Sequence, residues 1–283
     1  MKHIVLPTDF SDNAFNAINY ALQLFKEDSC TFYLLNAYSP PIIQPTDVMN
    51  SSTNTKELLD IVTQASENGL KDTLKKIAKK HKNSKHQFEL VSKFDFLLGT
   101  IKSIVEEKHI DFIVMGTKGA GGIKEVIIGS NTAGVIGHVN CPILAIPEEA
   151  VFQPIHEIAF ATDYDYYFEK DEIKPLTDIA KKFKATIKIM HALELNHPLT
   201  KDQEEIKRYV DATLKGTPHD FYTLTNASLE TATRLFIQSR DIGMLCMIAK
   251  HHNFFSRLFG KPRVEEISFH IKIPYLILHE YKN

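Results

Sequence analysis

"KHIVLPTDFS", residues 2–11, is an apolar run that stops at a proline, a small hydroxyl residue and a carboxylate. A run this short, bounded by turn residues, reads as a buried strand. The residues that follow place Ala14, Ile18, Ala21, Leu22 and Phe25 on one helical stripe, with Ser11 positioned as its N-cap. Together they form one β-α unit. The alternation continues along the chain. "CTFYLLNAY", "HQFELVS", "IDFIVMG" and "CPILAIP" read as strands, and "ENGLKDTLKKIAKKHK", "LGTIKSIVEEKH" and "NTAGVIGHV" as helices between them. Repeated β-α alternation predicts a parallel sheet covered by helices on both faces.

The opening stretch then returns. "HEIAFATDYD", residues 156–165, answers "KHIVLPTDFS", so that Thr162-Asp163 stands where Thr8-Asp9 stood. "TIKIMHA" answers "TFYLLNA", "HDFYTLT" answers "HQFELVS", and "KIPYLILHE" answers "NCPILAIPE". This is an internal duplication. The offset is 154 residues between the two aspartates and 132 between Pro142 and Pro274, which leaves the second half 22 residues shorter. The difference falls at "YSPPIIQPTDVMNSSTNTKE", a Pro- and Ser/Thr-rich segment without apolar period, read as a solvated insertion or as a cover over the strand ends. The expected fold class is α/β, with two tandem doubly wound five-stranded parallel-sheet domains in the common strand order 3-2-1-4-5. The domains are expected at residues 1–149 and 150–283, with the boundary near "PEEAVFQP".

Composition narrows the function classes. A chain of 283 residues exceeds the usual single-domain size, and 43% hydrophobic with 24% charged residues is ordinary for globular protein. A net charge of -2 gives no electrostatic reason to expect nucleic acid or an anionic membrane as partner. Cys30, Cys141 and Cys246 lie far apart in apolar surroundings, which predicts buried free thiols and a reducing compartment. The N-terminal "MKHIVLPTDFSD" breaks before a signal-peptide apolar region develops, and no apolar run of membrane-spanning length follows, so a cytoplasmic location is expected.

"MGTKGAGGIKEVIIGSNTAG", residues 115–134, holds half of the chain's glycines. In an open parallel sheet, ligands bind beyond the carboxyl ends of the strands where strand addition reverses, here between strands one and four. Asp9 ends the first of these strands and Gly116 the second. Glycines admit a bulky anion to backbone N–H groups, and a helix N-terminus adds unpaired donors and a favourable dipole. Ser130 and Thr132 are placed to donate to phosphate or to cap the helix. Neither the Walker spacing nor G-x-G-x-x-G is present; the spacing is G-x-x-G, nine residues, then G-S.

That spacing, preceded by an apolar strand and joined to "PTDFS" at the end of strand one, resembles the ATP-binding signature of the universal stress protein family. The resemblance covers essentially the whole chain as two tandem domains, and it implies the adenine nucleotide alpha hydrolase-like fold. It further implies that Pro7, Thr8 and Asp9 contact the nucleoside, that the Ala37 backbone holds the adenine edge, and that Met115 lines the base pocket. Gly116 and Gly119 would admit ribose and phosphates, and Gly129, Ser130, Asn131 and Thr132 would donate to the phosphates. The implied ligand is ATP or another adenine nucleotide, with a divalent cation such as Mg2+ or Mn2+ beside a triphosphate. Lys118 and Lys124 flank the loop, where solvent exposure is the ordinary reading of lysine.

The second half departs from the pattern. Aligned on the closing proline, Gly116, Gly119, Gly129 and Ser130 meet Ile248, His251, Lys261 and Pro262. Bulky side chains and a missing N–H donor make nucleotide binding in the same manner improbable there. "KHHNFFSRLFGKPRVEE" reads as a repacked loop whose aromatics fill the vacated crevice, or else as a contact for an anion or a protein partner. The expectation is therefore a nucleotide-binding stress or regulatory protein with one intact and one erased site. A slow metal-dependent ATP hydrolase using the crevice at Asp9 and a nucleotide-independent interaction module stand as alternatives. Pairing of "PILAIP" with "PYLILHE" is expected to make the chain an intramolecular pseudo-dimer, with homodimerisation of whole chains also open.

Overall fold

The computed structural model describes residues 1–39, 55–118, 128–193, 195, 197–249 and 272–280. In chain order the first half contains β1 (Lys2–Pro7), α1 (Asp12–Leu24), β2 (Cys30–Tyr38), α2 (Thr55–Lys80), β3 (His86–Phe94), α3 (Leu97–Lys108), β4 (Phe112–Gly116), α4 (Ser130–His138) and β5 (Ile143–Ile146). The second contains β6 (Glu157–Ala161), α5 (Lys170–Phe183), β7 (Thr186–Leu193), α6 (Lys201–Thr213), β8 (His219–Thr225), α7 (Leu229–Gln238), β9 (Ile242–Ala249) and β10 (Tyr275–His279). Among the described residues the expected β-α alternation is present within the first half and as far as β9 in the second, and each half has strand order 3-2-1-4-5. The two halves share one ten-stranded sheet, β3-β2-β1-β4-β5-β10-β9-β6-β7-β8.

All neighbours in that sheet are parallel except at its centre, where β5 and β10 run antiparallel with Leu144 opposite Leu276. The expected pseudo-dimer is formed by this pairing. Register also verifies the duplication. Ile4 pairs with Phe112 and Ile158 with Met244, which reproduces both the 154-residue and the 132-residue offsets and sets Ile248 at the place of Gly116. One difference from expectation is α2, which starts at Thr55 rather than near Glu67 and absorbs the end of the Ser/Thr-rich segment. The rest of that segment, residues 40–54, lies outside the described residues.

Helices cover both faces. Ala17 and Ile18 of α1, Leu70 and Ile77 of α2, Leu176 of α5 and Val210 of α6 are buried against one face. Ile101 of α3, Val135 of α4 and Phe236 of α7 are buried against the other. Each apolar layer runs without interruption from the first half into the second. Phe152, on the connector between β5 and β6, stands between Tyr20 of α1 and Phe183 of α5, with ring centroids 5.3 and 6.0 Å away. Lys182 of α5 donates to the Leu24 carbonyl at 2.6 Å, so a cation from the second half satisfies an orphan acceptor at the C-terminal end of α1. Lys182 also pairs with Asp28 and lies over the Phe25 ring.

Cys30, Cys141 and Cys246 are free and buried, as expected. Burial pushes the Cys30 thiol up to about 11 and the Cys141 thiol to about 12, which holds both in the unreactive protonated form. Two histidines tie main chain across elements. Nε2 of His279 lies 2.8 Å from the Ile136 carbonyl near the end of α4, and Nδ1 of His191 lies 2.8 Å from the Thr162 carbonyl. Burial holds both imidazoles below the usual histidine range.

The Leu144–Leu276 pair has no solvent exposure and sits at the seam. Leu276→Ala is expected to cost about 2–5 kcal/mol, read as a lower urea midpoint. Stability is also expected to fall with pH. The unfolded chain takes up protons on His191 and His279 near the ordinary value of about 6.5, before the folded chain does. The loss is therefore absent well above that pH and grows below it, and urea melts of His279→Gln should show a shallower decline.

Candidate functional site

Strand β1 delivers Thr8 and Asp9 to the carboxyl end of the sheet. Thr8 N–H donates to the Leu35 carbonyl at 2.8 Å, and the buried Asn36 amide donates to the Thr8 carbonyl at 2.7 Å. The chain then turns sharply. Phe10 adopts φ of 66°, the left-handed region, with its N–H donating to Thr8 Oγ1 at 3.0 Å. Asp9 is exposed, and one carboxylate oxygen accepts from the Ser11 N–H at 3.1 Å and the Ser11 hydroxyl at 2.5 Å. Ser11 Oγ in turn accepts from the Ala14 N–H at 3.2 Å and caps α1 as expected. Asp9 is thus oriented by the same residue that starts the helix.

The facing wall is built by β4 and α4. Gly116 and Thr117 leave β4, and α4 begins at Ser130 with Gly129 as its N-cap. Two hydrogen bonds tie exit to re-entry. Gly129 N–H donates to the Thr117 carbonyl at 2.6 Å, and Thr132 Oγ1 donates to the Gly116 carbonyl at 2.8 Å. The glycine stretch therefore leaves and returns through one closed neck beside Thr8–Asp9. Helices α1, α6 and α7 are capped by the side chains of Ser11, Thr200 and Ser228, whereas the N-cap of α4 is Gly129, which has no side chain to offer. Ser130 and Asn131, in the first turn of α4, are exposed, and the first-turn N–H groups of a helix have no partner within the helix.

The structure brings Pro7, Thr8, Asp9, Met115, Gly116, Gly129, Ser130, Asn131 and Thr132 to the carboxyl ends of adjacent strands β1 and β4. Ala37 lies next to them near the end of β2, half-exposed. Met115 is buried in the apolar layer that contains Val135. Thr132 is buried too, and its proton is committed to Gly116, so in this arrangement it secures the neck rather than presenting a free donor. Gly119 and Lys124 lie outside the described residues. Lys118 is turned to Glu148 on the connector, Nζ to carboxylate 3.3 Å, in a partly screened ion pair. Among the described residues no group of three or more His, Cys, Asp or Glu side chains is placed to hold a metal ion.

Two asparagines of α1 were not singled out by the sequence reading. Asn13 donates to the Lys118 carbonyl at 2.5 Å, bridging the two walls. Asn16 donates to the carbonyls of Pro147, Glu148 and Ala150, at 3.3, 3.3 and 2.9 Å, and holds the connector. Their signal was present: amides on the buried side of an amphipathic helix must find main-chain partners.

The equivalent place in the second half keeps the turn but buries the residue at its tip. Tyr164 has φ of 55° and donates its N–H to Thr162 Oγ1 at 3.1 Å, repeating Phe10 and Thr8. Unlike Phe10, Tyr164 is buried, with its ring 4.8 Å from that of His191, which stands where Asn36 stood. Asp163 offers its carbonyl to Gln203 of α6. The aromatic and basic residues from His251 to Arg263 lie outside the described residues.

The model of the universal stress protein family matches residues 1–147. The chain belongs to the universal stress protein family. Two universal stress proteins of Methanocaldococcus jannaschii are similar to it, one 31% identical over 153 residues, 51% of this chain and 94% of the relative. The other is 28% identical over 151 residues, 51% of this chain and 81% of the relative. A crystal structure of a universal stress protein from Archaeoglobus fulgidus matches with TM-score 0.66 at 14% identity, over 97% of each chain. At that identity the likeness concerns the fold, and it extends over both halves. As a universal stress protein of tandem build, this chain has the adenine nucleotide alpha hydrolase-like fold in duplicate.

A Cβ on Gly116 would lie 2.7 Å from Asn13 Nδ2. Gly116→Ala is therefore expected to displace Asn13 and to destabilise by about 1–3 kcal/mol. Thr132→Val, which leaves the neck without its hydroxyl donor, should cost about 1 kcal/mol. Urea midpoints of the two variants against the parent check both.

Proposed function

We infer that the first half binds ATP or a related adenine nucleotide at the neck of the glycine stretch, and that the protein acts in stress response or regulation through that binding. The observation that carries this reading is the closed neck itself. A glycine-rich excursion starts and ends at one point, beside an exposed carboxylate and an α-helix whose N-cap is a glycine. Such an end attracts anions through oriented N–H groups and the helix dipole. In this reading Pro7, Thr8, Asp9, Ala37 and Met115 enclose the nucleoside. Gly116 and Gly119 give room to ribose and phosphate, Gly129, Ser130 and Asn131 donate to phosphate, and Thr132 holds the helix in place.

The second half, from about residue 150, supplies the other side of the central strand pair and, in this reading, binds no nucleotide in the same manner. Ile248 stands at the position of Gly116, and Tyr164 is buried where Phe10 is exposed. No helix among the described residues is long and apolar enough to cross a membrane.

Calorimetric titration with ATP tests the reading. The parent chain is expected to bind one nucleotide per chain, and Gly119→Val and Gly129→Val to weaken binding at least about tenfold, equivalent to about 1.4 kcal/mol. Unchanged affinity in both variants would sink the assigned site. Single-turnover phosphate release tests the hydrolase alternative on the same sample: bound ATP recovered intact favours the binder.

A further inference from the structure

Asn13 is the second residue of α1, and only 8% of it is exposed. Its amide lies flat against Gly116, where an added Cβ would stand 2.7 Å from Nδ2, 2.9 Å from Cγ and 3.1 Å from Oδ1. Nδ2 donates to the Lys118 carbonyl at 2.5 Å. Reversing the amide would set an oxygen against that carbonyl, so the acceptor pairing fixes which end is nitrogen. Oδ1 is then a buried oxygen without any hydrogen-bond partner. Among the described residues only two other buried side-chain atoms share that condition, on His191 and His279, and neither belongs to the glycine neck. Asn36, on β2, donates its amide to the Thr8 carbonyl and leaves no such orphan.

Native structures seldom leave a buried acceptor unpaired without a use for it. An amide oxygen accepts and cannot donate, so a hydrogen-bond partner for it must carry a proton. Phosphate oxygens, the ribose ring oxygen and the ring nitrogens of an adenine base are excluded on that ground. The donors of an adenine nucleotide are its ribose hydroxyls and its exocyclic amine. Gly116, the residue against which the amide rests, is the position read above as making room for the ribose.

We propose that Asn13 Oδ1 accepts a hydrogen bond from a ribose hydroxyl, and that Asn13 thereby makes this site selective for ribonucleotides over their deoxy counterparts. The proposal rests on the adenine-nucleotide reading of the first half. Asn13 acts twice: its nitrogen straps the start of the glycine stretch to α1, and its oxygen reads the sugar.

The test is a calorimetric comparison of ATP, 2′-deoxy-ATP, 3′-deoxy-ATP and inosine triphosphate on the full chain and on two variants. The parent is expected to bind ATP about tenfold or more tightly than at least one deoxy analogue, the effect of one lost hydrogen bond to a buried acceptor. Asn13→Ala should bring that ratio close to one. Asn13→Asp keeps an acceptor oxygen and loses the strap to Lys118, so ATP should bind more weakly while the ratio persists. A purely structural role would lower all affinities together and leave the ratio unchanged in every variant, which overturns the proposal. Equal binding of ATP and both deoxy analogues by the parent overturns it as well. Discrimination against inosine triphosphate alone, abolished by Asn13→Ala, would assign the oxygen to the base amine instead and equally overturn it. If the parent binds none of the four, the adenine-nucleotide reading itself fails, an outcome distinct from equal binding.

Discussion

The antiparallel pairing of β5 with β10 is the contact on which this architecture depends. A five-stranded parallel unit ends in an apolar edge strand whose main-chain donors and acceptors demand partners, and an exposed edge of that kind invites association. Here Ile143, Leu144 and Ala145 meet Ile277, Leu276 and Tyr275, all buried. Once those edges join, the apolar layers on both faces become continuous. Phe152 and Lys182 then find their positions between α1 and α5. The seam also reaches the candidate site, because His279 at the end of β10 holds the Ile136 carbonyl of α4, the helix whose opposite end closes the glycine neck.

Much of this was legible in the sequence because its signals are local. Ser11 announced the start of α1, and the apolar runs announced the strands, since burial on both faces leaves strands of a covered parallel sheet almost wholly apolar. Strand order and the seam followed from the duplication, which two offsets located and which the pairing of Ile158 with Met244 reproduces. Less legible was the start of α2. Residues 55–66 show no clean apolar stripe, and much of this stretch of helix is exposed, so periodicity had little to report.

The candidate site divides along the same line. Glycine spacing and the terminal "TD" of β1 are visible as patterns, and they meet in space as a doubly wound sheet requires. What composition could not show is how polar side chains are spent. The Thr132 hydroxyl is seen to hold the Gly116 carbonyl, a use that its place in the motif does not announce. Lys118 looks like an ordinary solvent-exposed lysine until it is seen paired with Glu148. Asn13 and Asn16 look like ordinary helix surface until the crevice and the connector close over them. Each of these depends on which main-chain carbonyl lies within about 3 Å, a long-range fact that no window of sequence contains.

The covalent joining of the two halves has an evolutionary side. In a symmetric dimer every substitution is made twice, once on each side of the axis, so no subunit can change its crevice without changing its partner's. A tandem chain is released from that constraint. Gly116 and Ile248, Asn36 and His191, and Phe10 and Tyr164 occupy matching positions in one sheet yet differ in kind. Because the β5–β10 seam is intramolecular, dilution does not part the halves, and one of them is free to drift toward pure support while the other keeps its opening.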